Sequence, residues 1–166
     1  MYRTITDFTH DWNFESTATR KVLDHLTDKS LGQSVRPGGR TLGRLGWHLV
    51  QTLVEMPGEA GIKVEGPEMG AEAPTTAAAL AEQYPETAKH LSEAVSAQWT
   101  DAALAEEIPM YGETWKKGNV LRALISHEAH HRGQMTVLMR QAALKVPGIY
   151  GPAEEDWASM GMPAQE

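Results

Sequence analysis

Three of the chain's seven histidines fall in one short stretch, Ser126-His127-Glu128-Ala129-His130-His131-Arg132-Gly133-Gln134. The segment around it has helical periodicity. His127 and His131 are spaced i and i+4, so their imidazoles project from one helix face about a turn apart. That spacing suits two ligands of one divalent metal ion. On a helical wheel His131 lies in an apolar stripe with Val120, Leu124, Met135, Leu138 and Ala142. His127 and Gln134 lie on its flank, while His130 falls well outside it. Buried imidazoles need partners, because an unsatisfied polar group in an apolar face is costly. Shared ligation would satisfy both; for a single histidine a core position bonded to backbone or water is the better reading, but for an inward i,i+4 pair ligation stands ahead of it. Glu128 and Arg132, also i and i+4, read as a surface ion pair.

Read literally, His127-Glu128-Ala129-His130-His131 is also H-E-x-x-H, the zinc metallopeptidase pattern with Glu128 as general base. That reading takes a third ligand from downstream, where Glu154 or Glu155 could serve. No histidine follows His131, so the longer metzincin pattern fails. No strand-rich segment precedes the helix to bind an extended peptide. An upstream third ligand is the better candidate. His48, in Gly46-Trp47-His48-Leu49, sits at the edge of a leucine stripe on an earlier helix. His10, His25 and His90 read as surface residues.

These side chains need helices to carry them. A first helix is expected over about Thr6 to Asp28, capped by Thr6, with Phe14, Ala18, Val22 and Leu26 inward. Arg36-Pro37-Gly38-Gly39 breaks the chain. Thr41 caps a second helix that ends near Met56, before Pro57-Gly58. Its core stripe is Leu42, Leu45, Leu49, Leu53 and Met56, with Arg44, Gln51 and Glu55 wet. The Gly-, Pro- and Glu-rich stretch from Gly58 to Pro74 is a crossover or flexible loop. A third helix runs from about Thr76 to Trp99, with Pro85 predicting a kink or a later start. Ile108-Pro109-Met110 and Thr114-Trp115-Lys116 flank Tyr111-Gly112-Glu113 as a short hairpin or irregular loop. Asn119 caps a fourth helix that runs to about Leu144, and a short docked helix follows near Glu154-Glu155-Asp156-Trp157. The fold class expected is all-α: one four-helix-bundle domain over residues 1–166, with a long crossover between helices two and three.

Composition narrows function by exclusion. An apolar fraction of 41% and a charged fraction of 22% are those of a globular protein. The chain has no cysteine, which removes disulfides, a cysteine nucleophile and cysteine-ligated zinc. Fifteen basic against 22 acidic side chains give a net charge of −7. With no clustering of the cations, nucleic acid is not an expected partner. No apolar run approaches a membrane span and the N-terminus lacks the apolar block of a signal peptide, so a cytoplasmic protein is expected.

Two blocks make a resemblance specific: Thr41-Leu42-Gly43-Arg44-Leu45-Gly46-Trp47-His48, and Ser126 through Gln134 in its H-x-x-H-H-R-G-Q form. With Val146-Pro147-Gly148-Ile149-Tyr150-Gly151-Pro152 after them, the chain resembles the DinB-like superfamily of bacterial metalloproteins. That superfamily includes bacillithiol- and mycothiol-dependent enzymes. The resemblance implies a four-helix bundle, often dimeric, and a divalent metal, zinc or nickel. Its ligands would be His48 from helix two with His127 and His131 from helix four. His130 matches a histidine that is not a ligand, and Glu128 a variable position. It also implies thiol transfer or thiol-dependent isomerisation on small molecules, with a low-molecular-weight thiol as co-substrate. Metal-dependent hydrolysis and a purely structural ion in a binding or stress protein remain the alternatives. No protein nucleophile is evident. Glu128, His130 and Tyr150 are the candidate proton carriers.

Overall fold

The computed structural model describes residues 1–163. Four long helices dominate: α1 (Ile5–Asp24), α2 (Leu42–Glu59), α3 (Ala77–Gln98) and α4 (Lys117–Gln141). A two-stranded hairpin, β1 (Glu107–Met110) with β2 (Glu113–Lys116), precedes α4, and α5 (Glu154–Ser159) follows it. The fold is the all-α bundle expected. Around the bundle the helices neighbour one another in the order α1, α3, α2, α4, so α2 lies against α4 and α1 closes the ring.

The core is built from the stripes that periodicity marks. Val22, Leu42, Leu49, Leu53, Leu80, Leu91, Leu124 and Leu138 are buried. Phe8 and Trp12 stack in the first turns of α1, and the Trp12 indole donates to the Ala88 carbonyl at 3.0 Å, tying α1 to α3. Phe14 departs from the expected stripe. It is half exposed and stacks on Tyr150 instead of entering the core. Gln51 departs in the other direction: expected wet, it is buried and accepts from Arg44 at 2.9 Å.

Helix ends differ from the sequence reading for local reasons. Thr4, not Thr6, caps α1, accepting from the Asp7 amide at 3.1 Å. The helix stops at Asp24, and a separate 3₁₀ turn over Asp28–Gly32 follows, capped by Thr27. The second helix runs through Pro57 to Glu59 rather than stopping at Met56. In a last turn the missing proline N–H removes only one bond, and the Pro57 carbonyl still accepts from Ile62 at 2.8 Å. Helix α3 is likewise continuous through Pro85.

Residues 60–76 are irregular but tied down. Ile62 and Val64 are buried, and the Trp47 indole donates to the Ala71 carbonyl. The Gln98 amide bridges both backbone groups of Lys63, and His90, expected at the surface, is half-buried with Nδ1 3.1 Å from the Glu65 carbonyl.

The hairpin is regular. Tyr111 and Gly112 both have positive φ, 50° and 84°, the conformation that two-residue turns between antiparallel strands require. It feeds straight into α4, which therefore begins at Lys117 rather than after Asn119, with no side-chain cap. The Lys117 amide donates to Glu106 and the Tyr2 amide to Gly118. A Cβ on Gly118 would lie 2.2 Å from the Tyr2 carbonyl oxygen, so only glycine lets the N-terminal segment cross here. At its other end α4 stops at Gln141, where Ala143 turns left-handed at φ 57° and Leu144 donates back to Met139.

A candidate metal centre between α2 and α4

Helix α2 presents His48 to the face of α4 that carries His127 and His131. One ligand-capable atom from each of the three lies within 4.8 Å of the others. His48 Nε2 and His127 Nε2 are 3.2 Å apart. Two nitrogens bound to one tetrahedral ion at about 2.0–2.1 Å would sit about 3.3 Å from each other. The ring centroids lie 4.4–5.0 Å apart, with every pair steeply inclined. The imidazoles meet in T-shaped pairs instead of stacking.

Protonation also suits a cation. Burial pushes His48 down to about 4, helped by the charges of His131, Arg40 and Arg44. His127 is pushed down to about 4 by burial and by His131 and His48. His131 is lowered by burial as well, against a bond to Gln134 that raises it. All three are therefore neutral near pH 7, with lone pairs to offer.

Gln134 sets the tautomer of His131. Its Oε1 lies 2.7 Å from His131 Nδ1 and can only accept, so Nδ1 carries the proton and Nε2 is the free lone pair. The same amide donates from Nε2 to His130 Nε2 at 3.1 Å. His130 is exposed and outside the triad, as the wheel placed it. His127 Nδ1 is buried without a hydrogen-bond partner, an atom that needs a water or an altered ring position to be satisfied. The donor set fits a divalent ion: three neutral imidazoles, one with its outer N–H held by a neighbour.

The other sequence candidates lie elsewhere. Glu128 and Arg132 are not a surface ion pair; both are buried, pointing to α1 and α3. Glu128 Oε2 accepts from Thr19 at 2.7 Å and Tyr84 at 2.8 Å. Burial pushes Glu128 up to about 7, against the pull of bonds from Thr19 and Tyr84 and the charge of Arg132. Arg132 donates to the Glu15 carboxylate and the Tyr150 hydroxyl at 2.5 Å each, and to Thr19 at 3.1 Å. Tyr150 also donates to Glu15 at 2.9 Å, while its ring is largely exposed. Glu155 is paired with Arg140, with Glu154 farther off. Among the described residues the potential metal cluster comprises the three histidines and no carboxylate.

Sequence reasoning missed this Glu15–Thr19–Tyr84–Glu128–Arg132–Tyr150 network. The signal was present in Glu128 and Arg132 at i and i+4 next to the inward histidines, but of their partners only Tyr150 is near in sequence, 18 positions on; the others are more than 100 positions away on α1 or 44 away on α3.

Fold and site together define a helical bundle with a histidine cluster able to hold a metal ion. The chain belongs to the DinB family, whose model matches residues 1–166. It is 43% identical over 164 residues to the protein of Bacillus subtilis (strain 168) called "Uncharacterized protein YrdA", covering 99% of this chain and 98% of that one. A crystal structure of a DinB-like protein from Bacillus cereus is similar at a TM-score of 0.86 and 43% identity, over 90% of this chain and all of that one. A second DinB-like protein, YjoA of Bacillus subtilis, matches at 0.67 and 15% identity, covering 89% of this chain and 99% of that one; this likeness is one of fold. No helix among the described residues is long and apolar enough to cross a membrane.

Proposed function

We propose that residues 1–166 form one metal-dependent enzyme unit. In it His48, His127 and His131 hold a divalent ion, zinc or nickel, and a small thiol is activated for transfer or isomerisation on a small molecule. The convergence of the three imidazoles, with two Nε2 atoms 3.2 Å apart, carries the reading. An ion held there would supply a Lewis acid that lowers the pKa of a thiol or water presented to it.

The chain's own residues do the rest. Gln134 fixes the ring of His131 and directs its lone pair. Arg40, whose charge depresses all three imidazoles, lies near enough to favour an anion at the site. His130 is the candidate proton carrier best connected to the triad, through the Gln134 amide. Hydrolysis with Glu128 as general base has less support, because that carboxylate turns to α1 and α3, where its Oε2 accepts from Thr19 and Tyr84.

The test is twofold. Zinc or nickel titrated into protein purified without affinity resin should bind near one per chain, and His48→Ala, His127→Ala and His131→Ala should each lose it. Loaded protein should then conjugate a small thiol to an electrophile faster than the His48→Ala variant. Retention of metal by His48→Ala, with loss in Glu154→Ala/Glu155→Ala, would overturn the ligand set. Stoichiometric metal with no turnover of any thiol would overturn the enzyme.

A further inference from the structure

A cavity of about 450 Å³ opens one helical turn along from the triad. Leu45, one turn before His48 on α2, lines it with Gln134 and Leu138, on the turns of α4 that follow His131. It adjoins the imidazole cluster at Gln134, which lines the cavity and bonds to His131. The volume lies within the range of roughly 300–1,000 Å³ that small-molecule sites occupy.

The far wall is the loop before α2, which contributes Val35, Arg36, Gly39 and Arg40. Its base is anchored. Ser34 and Thr41 form an antiparallel bridge, Leu42 donates to the Gln33 carbonyl at 2.8 Å, and Gln33 bonds Gln141 of α4. Gly38 at φ 70° closes a tight turn in which Gly39 donates back to Arg36. Both arginines thus flank a held turn. Among the described residues neither forms an ion pair, in a chain whose net charge is −7. The remaining lining is mostly apolar. An apolar trough with two unneutralised guanidiniums at one rim matches an apolar body ending in a planar anion, which arginine recognises by paired hydrogen bonds.

We propose that this cavity holds the body of the substrate and that the substrate is an organic anion. Its apolar part lies against Leu45, Val137 and Leu138, and its carboxylate is held by Arg40 and Arg36. Calling it the substrate rests on the metal-enzyme reading above; the preference for an apolar carboxylate does not.

The probe pair is 4-phenylbutyrate and its neutral amide, titrated calorimetrically into full-length protein freed of metal with EDTA, and again with zinc present. Methyl and side-chain amide NMR signals are followed in parallel. The carboxylate should bind about five- to tenfold tighter than the amide, shifting the methyls of Leu45, Val137 and Leu138 and the amide of Gln134. Arg40→Gln and Arg36→Gln together should bring the carboxylate down to the amide's affinity with the fold intact by circular dichroism. Equal affinities for the two probes, shifts confined to other methyls, or indifference to both arginines would each overturn the proposal. So would concentration-dependent shifts of the same methyls without ligand, which would assign the face to a second copy of the chain. Carboxylate binding in protein that takes no zinc would support the pocket while overturning the triad. Zinc binding without carboxylate preference would do the reverse.

Discussion

Adjacent residues on α4 have opposite tasks. His131 faces α2 and the imidazole cluster, whereas Arg132 reaches into α1 and is almost wholly buried against Glu15. One residue step turns a helix face by about 100°, enough to separate a candidate ligand from a structural cation. Removing Arg132 would leave the Glu15 carboxylate, Thr19 and Tyr150 without their shared donor. Arg132→Ala should therefore cost about 3–5 kcal/mol, read as a shift in the urea midpoint. Gln134 is the contrasting case. It is exposed and contributes little to packing, yet it holds Nδ1–H of His131. Gln134→Ala should weaken zinc binding about tenfold or more in chelator competition, with stability within about 0.5 kcal/mol of the parent. Unchanged affinity would show that His131 needs no orienting partner.

Elements rather than residues decide how the C-terminal segment is held. Helix α5 is six residues long and contributes no buried residue of its own. It is fastened by the Arg140 guanidinium, which donates to both oxygens of Glu155, and by the Val146 amide. The bond from Arg140 draws Glu155 down to about 2 from its ordinary 4.5. A carboxylate whose folded value is depressed stabilises the docked state above its unfolded value and loses that contribution as pH falls toward the folded one. Undocking of α5 is therefore expected between about pH 4.5 and pH 2, and not at neutral pH. The difference in tryptophan fluorescence between the parent and Trp157→Phe would report it. Glu155→Gln should lack the acid transition because its segment is already loosened.

At the scale of the whole molecule, the cluster joins two helices that the chain visits far apart: His48 and His127 are separated by 79 positions. An ion bound to the folded protein and not to the unfolded chain stabilises by mass action, about 2.7 kcal/mol when free metal is 100 times its Kd. Zinc should raise the thermal midpoint of the parent and EDTA should return it. The His48→Ala/His127→Ala/His131→Ala variant should show no rise. An equal rise in that variant would place the ion somewhere else.

Much of this was legible from spacing. Apolar periodicity gave four helices and most of the core, because a buried stripe must recur at the helical period whatever it packs against. The inward turn of His131, and the outward one of His130, followed from the same periodicity. Spacing could not say what stands opposite each face. It left Glu128 and Arg132 as a surface pair, Phe14 in the core and Gln51 in water, because an angle on a wheel does not identify the neighbouring helix. It ended α2 near Met56 and capped α4 at Asn119, because apolar spacing does not report backbone partners such as Ile62 for Pro57 and Glu106 for Lys117. The sequence by itself thus determined the helices and most of the apolar stripes that turn inward. Only the tertiary structure decided which side chains meet: His48 with His127 and His131 across α2 and α4, and Glu128 and Arg132 with Glu15, Thr19, Tyr84 and Tyr150. The period of a helix is a local property of the chain, while the order in which helices surround a core is set by their collective packing.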